Sequence, residues 1–216
     1  SDLDRVSDIT EVIDCYADGY PFLKKHANDF PSPDYLKSIV KRGQEKSNMS
    51  GVGEGKDSPG SELIIAAVDK EEDARPIWLA AWSGMNTIAQ AIWKVHSTRS
   101  PEEFQKFVAK IRIYDVLGQD DAGAWIAKSF PEIFYIRNTE IYGWGPGDEW
   151  IKDNVQSRKP LGGCYPDRIW ASEGDSPSFL YVYANGLNVP DSLAYGGGGG
   201  RFKMERTAGI RGMDFI

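Results

Sequence analysis

Hydrophobic positions in the first part of the chain recur at helical spacing. From Val6 onward, apolar residues lie three or four positions apart, which predicts a helix over residues 4–16. A second apolar stretch follows two prolines and predicts a helix over residues 33–40, with Ser32 as its N-terminal cap. The glycine-rich stretch 47–60 has no apolar period and predicts a loop.

Strands alternate with helices through the middle of the chain. The continuous apolar run 77–82 predicts a strand buried on both faces, and residues 111–117 and 134–136 predict two further strands. Helices are predicted around these strands at residues 59–68, 87–95, 101–110, 123–129 and 175–183. The alternation is typical of an α/β fold with a mostly parallel sheet flanked by helices, in which ligands bind beyond the carboxyl ends of the strands.

Two helix starts carry a cap followed by a proline. Ser58 precedes Pro59 and Ser100 precedes Pro101, which pairs a capping hydroxyl with a proline in the first turn. In the helix after Ser58, four residues are expected to face the core: Leu63, Ile64, Ala67 and Val68.

Composition and charge restrict the class of protein. A chain of 216 residues suits one domain over residues 1–216. The formal net charge of -7 argues against nucleic acid as a partner, because binding to phosphates needs a basic surface. No apolar run approaches the roughly 20 residues that span a bilayer, so we expect no membrane partner.

The chain has two cysteines, Cys15 and Cys164, which are too few for a four-cysteine zinc site. Cys15 lies on the apolar face of the first predicted helix, which favours a buried free thiol. A long-range disulfide stays open as the alternative, because the spacing does not reveal it.

Polar segments follow predicted strands or precede predicted helices. Gln119, Asp120 and Asp121 follow a strand, and adjacent carboxylates can ligate a cation, act as a base or hold sugar hydroxyls. Glu173 and Asp175 stand before a helix and can ligate a hard cation or bind a sugar. The alternative at both places is a helix cap, which satisfies free backbone amides.

The loop that contains Glu54 lacks the spacing of a phosphate-binding P-loop, so it is either an active-site loop or a plain surface loop. Four tryptophans lie near the segments just described: Trp82, Trp125, Trp144 and Trp150. Exposed aromatic rings can stack on sugars, whereas the alternative for each ring is a place in the core.

Several motifs resemble one bacterial family. They lie at residues 7–16, 33–43, 53–64, 82–91, 119–126, 160–162 and 173–180. They are similar to the nucleoside-hydrolase-like domain of bacterial polysaccharide-degrading systems, often labelled a cellulose-binding protein. The resemblance covers nearly the whole chain and implies a nucleoside-hydrolase-like (Rossmann-like) α/β fold.

The resemblance implies a glycosidic-bond hydrolase in carbohydrate metabolism, assisted by calcium in the complete protein. The alternatives are a non-catalytic carbohydrate-binding domain, for cellulose or another polysaccharide, and an inactive fragment. The implied partner is a saccharide or a nucleoside-like small molecule. Assembly into a homo-oligomer and an extracytoplasmic location, periplasmic or secreted, are further expectations.

Site residues carry over from the family by position. Asp175 resembles its late metal ligand, and Ser83 resembles the residue whose carbonyl binds calcium. Substrate contacts are expected at Asn86, Gln119, Asp120, Asp121, Glu54, Trp82 and Glu173. The family's first strand, with its aspartate cluster and the general base, is expected upstream of residue 1, so this chain carries part of the calcium site.

Overall fold

The computed structural model of the protein describes residues 6–138 and 148–165. The chain divides into two compact units. Unit 1 combines residues 1–42 with 145–172, and unit 2 combines residues 43–144 with 173–216. The prediction of a single domain over residues 1–216 stays a prediction.

Helices and strands alternate in the described ranges. The helices are α1 (Val6–Leu23), α2 (Pro33–Ile39), α3 (Pro59–Val68), α4 (Asn86–Thr98), α5 (Pro101–Ala109), α6 (Asp121–Ser129) and α7 (Asp148–Ile151). The strands are β1 (Ile77–Ala81), β2 (Ile111–Val116) and β3 (Phe134–Asn138). Short helical turns lie at Asn48–Gly51, Lys152–Gln156 and Leu161–Cys164. The predicted helix over residues 175–183 lies outside the described residues.

The three strands form a parallel sheet in the order β1-β2-β3, which confirms the predicted α/β class. β1 pairs with β2 from Ile77 opposite Ile111, and β2 pairs with β3 so that Asp115 lies opposite Arg137. Parallel neighbours need crossover connections, which α4, α5 and α6 supply. Parallel pairing brings the carboxyl ends of all three strands to one edge.

The core of unit 2 lies on the helix side of the sheet. Ile111 and Ile113 of β2 are fully buried there against α3, α4, α5 and α6. Tyr114 and Val116 point to the opposite face, where they form a smaller apolar cluster. The prediction that residues 77–82 are buried on both faces is wrong, because β1 pairs with β2 alone among the described strands and most of its residues are half-buried.

The predicted caps are confirmed. The hydroxyls of Ser58 and Ser100 accept hydrogen bonds from the backbone amides of Ser61 and Glu103, at 3.1 and 3.3 Å. Ser32 caps α2 in the same way. The inward position of Leu63 is wrong: its side chain is 37% exposed, and Ile65 is buried instead. The capping box buries Ser61, and Ile65 and Val68 lie on the same face as Ser61.

Unit 1 contains a disulfide between Cys15 on α1 and Cys164. The favoured interpretation of Cys15 as a free thiol is therefore wrong. The two Cα atoms lie 6.5 Å apart because α1 packs beside the turn Leu161–Cys164, a tertiary contact that sequence spacing does not encode. α1 continues beyond the predicted residue 16 to Leu23.

The surface of unit 1 is rich in apolar side chains. Unit 1 carries seven of the nine exposed large hydrophobic residues in the described ranges: Ile9, Val12, Phe22, Tyr35, Ile39, Trp150 and Leu161. Unit 1 therefore exposes more large apolar side chains than unit 2. Across residues 6–138 and 148–165, no helix has both the length and the apolar character to cross a membrane.

Candidate functional site

The carboxyl ends of β1 and β2 lie side by side in unit 2. Residues 82–85 follow β1 and lead into α4, and residues 117–120 follow β2 and lead into α6. Six of the residues predicted to bind substrate or metal therefore lie at one edge of the sheet: Trp82, Ser83, Asn86, Gln119, Asp120 and Asp121. This is where an open parallel sheet binds ligands.

Asp120 joins the two strand ends. One carboxylate oxygen accepts a hydrogen bond from the backbone amide of Met85 at 2.7 Å, and the other accepts from Gly123 at 3.2 Å. The side chain is 4% exposed. Burial raises the pKa of this carboxyl, although its backbone hydrogen bonds act to lower it. Asp120 thus caps α6 and also fixes the segment after β1, and its contact with a sugar stays a prediction.

The amide groups of Asn86 and Gln119 also hold backbone. The Asn86 amide donates to the carbonyl oxygens of Gln44 and Lys46, at 3.1 and 2.5 Å. The Gln119 amide donates to the carbonyl oxygens of Trp82 and Val116, at 2.9 and 3.0 Å. These contacts use the donor end of each side chain.

Two acceptor atoms at this edge have no hydrogen-bond partner among the described residues. Asp121 accepts a hydrogen bond from the Met49 amide through Oδ1, at 2.7 Å. Within the residues that the structure describes, no hydrogen bond reaches the Oδ2 of Asp121 or the Oε1 of Gln119. Both residues are partly exposed, so these oxygens can accept hydrogen bonds from a ligand.

Loop 43–57 lies against α4 and is fixed by side chains. The fully buried Gln90 exchanges two hydrogen bonds with the backbone of Gly53, at 2.8 and 3.0 Å, and donates to Asp57 at 2.8 Å. Lys94 pairs with the same carboxylate. Glu54 lies in this loop with an exposed side chain. These contacts therefore hold the loop at Gly53 and at Asp57.

The segment after β1 is the exposed part of the edge. Trp82 is 45% exposed, and Ser83 and Gly84 are also exposed. A Cβ added at Gly84 would lie 3.2 Å from Oδ1 of Asn86 and 3.2 Å from Oδ2 of Asp120, so glycine permits this close approach. Trp82 is thus exposed on a segment whose backbone is held by Gln119 and Asp120.

The sequence analysis missed a buried cluster at the ends of β2 and β3. The Asp115 carboxylate, fully buried, accepts hydrogen bonds from the Tyr135 hydroxyl at 2.6 Å and from Nε of Arg137 at 2.9 Å. Burial raises the pKa of Tyr135, and the neighbouring Asp115 raises it further. The signal for this cluster in the sequence is Asp115, the one acidic residue within the predicted strand 111–117.

This cluster also fixes the turn that leads to Gln119. The other Asp115 oxygen accepts from the Gly118 amide at 3.3 Å. Leu117 and Gly118 have φ angles of +71° and +67°, and such a conformation costs a leucine about 1–2 kcal/mol. A Cβ at Gly123 would lie 2.7 Å from the Tyr135 hydroxyl. Glycine at this position therefore lets the first turn of α6 pack against the cluster.

Comparison with known proteins gives a consistent result. The family model for the cellulose-binding Sde182, nucleoside hydrolase-like domain matches residues 2–202. The chain belongs to this family. A solved structure, that of a nucleoside hydrolase-related hypothetical protein from Saccharophagus degradans that is associated with carbohydrate metabolism, is 48% identical with a TM-score of 0.88. No curated protein matches.

The match with the Saccharophagus degradans protein covers 99% of this chain and 51% of that chain, so this chain spans about half the length of its relative. It confirms the predicted nucleoside-hydrolase-like fold and the predicted resemblance. The description of the family names cellulose binding, and the Saccharophagus degradans protein is the one associated with carbohydrate metabolism. The activity and ligand of this chain are proposals.

Calcium is the metal that the nucleoside-hydrolase-like fold implies. It takes six to eight oxygen ligands. Within residues 6–138 and 148–165, no three His, Cys, Asp or Glu side chains lie close enough together to hold a metal ion. Both oxygens of Asp120 already accept backbone hydrogen bonds. The described residues therefore do not fit a calcium site. Asp175, Glu173 and Trp144 lie outside them, and calcium stays a prediction.

Proposed function

We propose that this nucleoside hydrolase-like domain binds a saccharide at the carboxyl edge of its sheet. The observation that carries the proposal is Trp82, which is 45% exposed directly after β1 and whose backbone carbonyl oxygen accepts a hydrogen bond from the Gln119 amide. Sugars present apolar C–H faces and polar hydroxyls, so an aromatic ring beside fixed acceptors suits them.

Each residue at the edge has a distinct part in this proposal. Trp82 stacks on a sugar ring, and the free oxygens of Gln119 and Asp121 accept hydrogen bonds from hydroxyls. Asn86 and Asp120 act as positioning residues, because their recorded hydrogen bonds go to backbone groups of loop 43–57, the segment after β1 and α6. A site held by buried hydrogen bonds loses little conformational entropy on binding. Contacts of Glu54 and Glu173 with the sugar stay predictions.

Binding of cello-oligosaccharides, followed by isothermal titration calorimetry, tests the proposal. Trp82→Leu removes the aromatic plane and should weaken binding about fivefold, which corresponds to roughly 1 kcal/mol for an aromatic contact. Trp82→Phe keeps a ring and should retain most of the affinity. Leu63→Ala, at an exposed residue of α3, is the control and should change nothing. Equal affinity of Trp82→Leu and the parent protein would contradict the proposal.

Hydrolysis of a glycosidic bond with calcium is the second candidate. Membership of a nucleoside hydrolase-like family favours it. The described residues supply too few oxygens for the metal. This candidate therefore depends on Asp175 and on other ligands beyond the described residues. Ser83 would contribute its carbonyl oxygen. Sugar release from nucleosides and from cello-oligosaccharides, measured with and without a calcium chelator, decides it. Release that survives chelation would rule out the metal, and no release would leave binding alone.

A further inference from the structure

A groove in unit 1 is lined by the second half of α1 and by residues 158–161. Its volume is about 560 Å3, which lies in the range of roughly 300–1,000 Å3 that is common for small-molecule sites. A neighbouring groove of about 500 Å3 shares Arg158 and Leu161 with it and reaches Val12. The two grooves together offer a trough along α1.

The walls of the groove are apolar and aromatic. Phe22 is 59% exposed and Leu161 is 44% exposed. The ring of Tyr16 is oriented by its hydroxyl, which donates to the carbonyl oxygen of Pro31 at 2.8 Å. Exposed aromatic faces of this kind stack on the C–H faces of sugar rings.

Three charged side chains line the same groove: Asp18, Arg158 and Lys159. All three are exposed, and within residues 6–138 and 148–165 none of them has a side-chain hydrogen bond or ion pair. They comprise two cations and one carboxylate, on a chain whose net charge is -7. The charged residues that line the groove therefore carry more positive than negative charge. A guanidinium binds a carboxylate through two parallel hydrogen bonds.

The two walls of the groove are held together before any ligand arrives. The disulfide Cys15–Cys164 joins α1 to the turn that follows residues 158–161. The ring of Pro160 lies against α1 at Gly19, where an added Cβ would be in ordinary contact with Cγ of that proline at 3.4 Å. A groove of fixed width binds at a smaller entropic cost than a flexible one.

We propose that this groove is a second saccharide site, which takes a short oligosaccharide that carries carboxylates. Sugar rings stack on Tyr16 and Phe22, a uronate carboxylate meets Arg158 and Lys159, and Asp18 accepts sugar hydroxyls. The proposal shares its ligand class with the proposed function, but it uses residues of unit 1 alone.

Calorimetry on the full chain with two matched probes tests this site. The probes are cellotetraose and its counterpart oxidised to uronic acid at every C6. The acidic tetramer should bind about tenfold more tightly than the neutral one, because charge-assisted hydrogen bonds are added. Arg158→Gln should abolish this preference, and Phe22→Ala should weaken binding of the acidic tetramer. Tyr35→Ala, at an exposed aromatic residue of unit 1 that does not line the groove, is the control and should leave both affinities unchanged.

The same titrations on Trp82→Leu separate the two proposals. This change should weaken cellotetraose and leave the preference for the acidic tetramer intact. Equal affinity for the two tetramers, or a preference that survives Arg158→Gln, would overturn the unit 1 site while Trp82-dependent binding of cellotetraose stands. An Arg158-dependent preference without any effect of Trp82→Leu would overturn the sheet-edge proposal alone. Circular dichroism confirms that each variant is folded.

Discussion

Replacing Asp115 with alanine tests whether the buried cluster at the ends of β2 and β3 stabilises unit 2. The change removes the acceptor of Tyr135 and the counter-ion of Arg137, whose side chain is 17% exposed. A buried charge left without its partner costs about 3–5 kcal/mol. Since a domain is stable by about 5–15 kcal/mol, we expect a large fraction of the stability of unit 2 to be lost.

Urea unfolding followed by circular dichroism measures the loss, with three comparison proteins. Asp115→Asn keeps the shape and part of the hydrogen bonding, so it should cost less than alanine. The double variant Asp115→Ala with Arg137→Met removes both charges and should cost less than the sum of its two single changes. Asp73→Ala breaks a surface pair with Arg75 and is the control, for which we expect a small effect.

Two results would refute this reasoning. One is a loss for Asp115→Ala no larger than that for Asp73→Ala, which would mean that Arg137 finds water or another partner at no cost. The other is strict additivity in the double variant, which would mean that Asp115 and Arg137 do not interact energetically.

The remaining predictions concern a cross-link and an ion pair. Cys15→Ser with Cys164→Ser should lower the free energy of unfolding by about 2–5 kcal/mol, and a reductant should destabilise the parent protein but not this variant; an equal response would contradict it. Hydrogen bonds from Lys94, and then from Gln90, lower the pKa of Asp57 below its ordinary value of 3.8. Ionised Asp57 therefore stabilises the folded state above that pH, and this stabilisation is lost as pH falls through the folded-state pKa. The stability difference between the parent and Asp57→Asn should shrink on acidification, and a difference constant with pH would contradict it.

Features that depend on neighbouring residues were predictable from the sequence. The caps at Ser58 and Ser100 are formed within three residues of the cap, so the pattern alone identifies them. The three strands were also found, because apolar runs between helices are a strong signal. The burial of β1 was not, since burial depends on how many neighbours a strand has in the sheet.

Features that join distant residues could not be predicted in the same way. Asp115 meets Tyr135 and Arg137 across 20 and 22 residues, and the register between β2 and β3 brings them together. The disulfide joins residues 149 positions apart. At the sheet edge, the sequence located Asn86 and Asp120 and offered the helix cap that Asp120 makes with Gly123. It could not reveal the bonds of these two side chains to backbone groups 35 to 42 residues away.

The anchoring of loop 43–57 sets the order of events during synthesis. Its side-chain hydrogen bonds to the rest of unit 2 reach partners that lie 33 to 72 residues later, from Asn86 to Asp121. Translation at about 5–20 residues per second leaves roughly 2–14 s before those partners exist. Loop 43–57 therefore emerges before the residues that anchor it, and a chaperone that shields it would act in this interval.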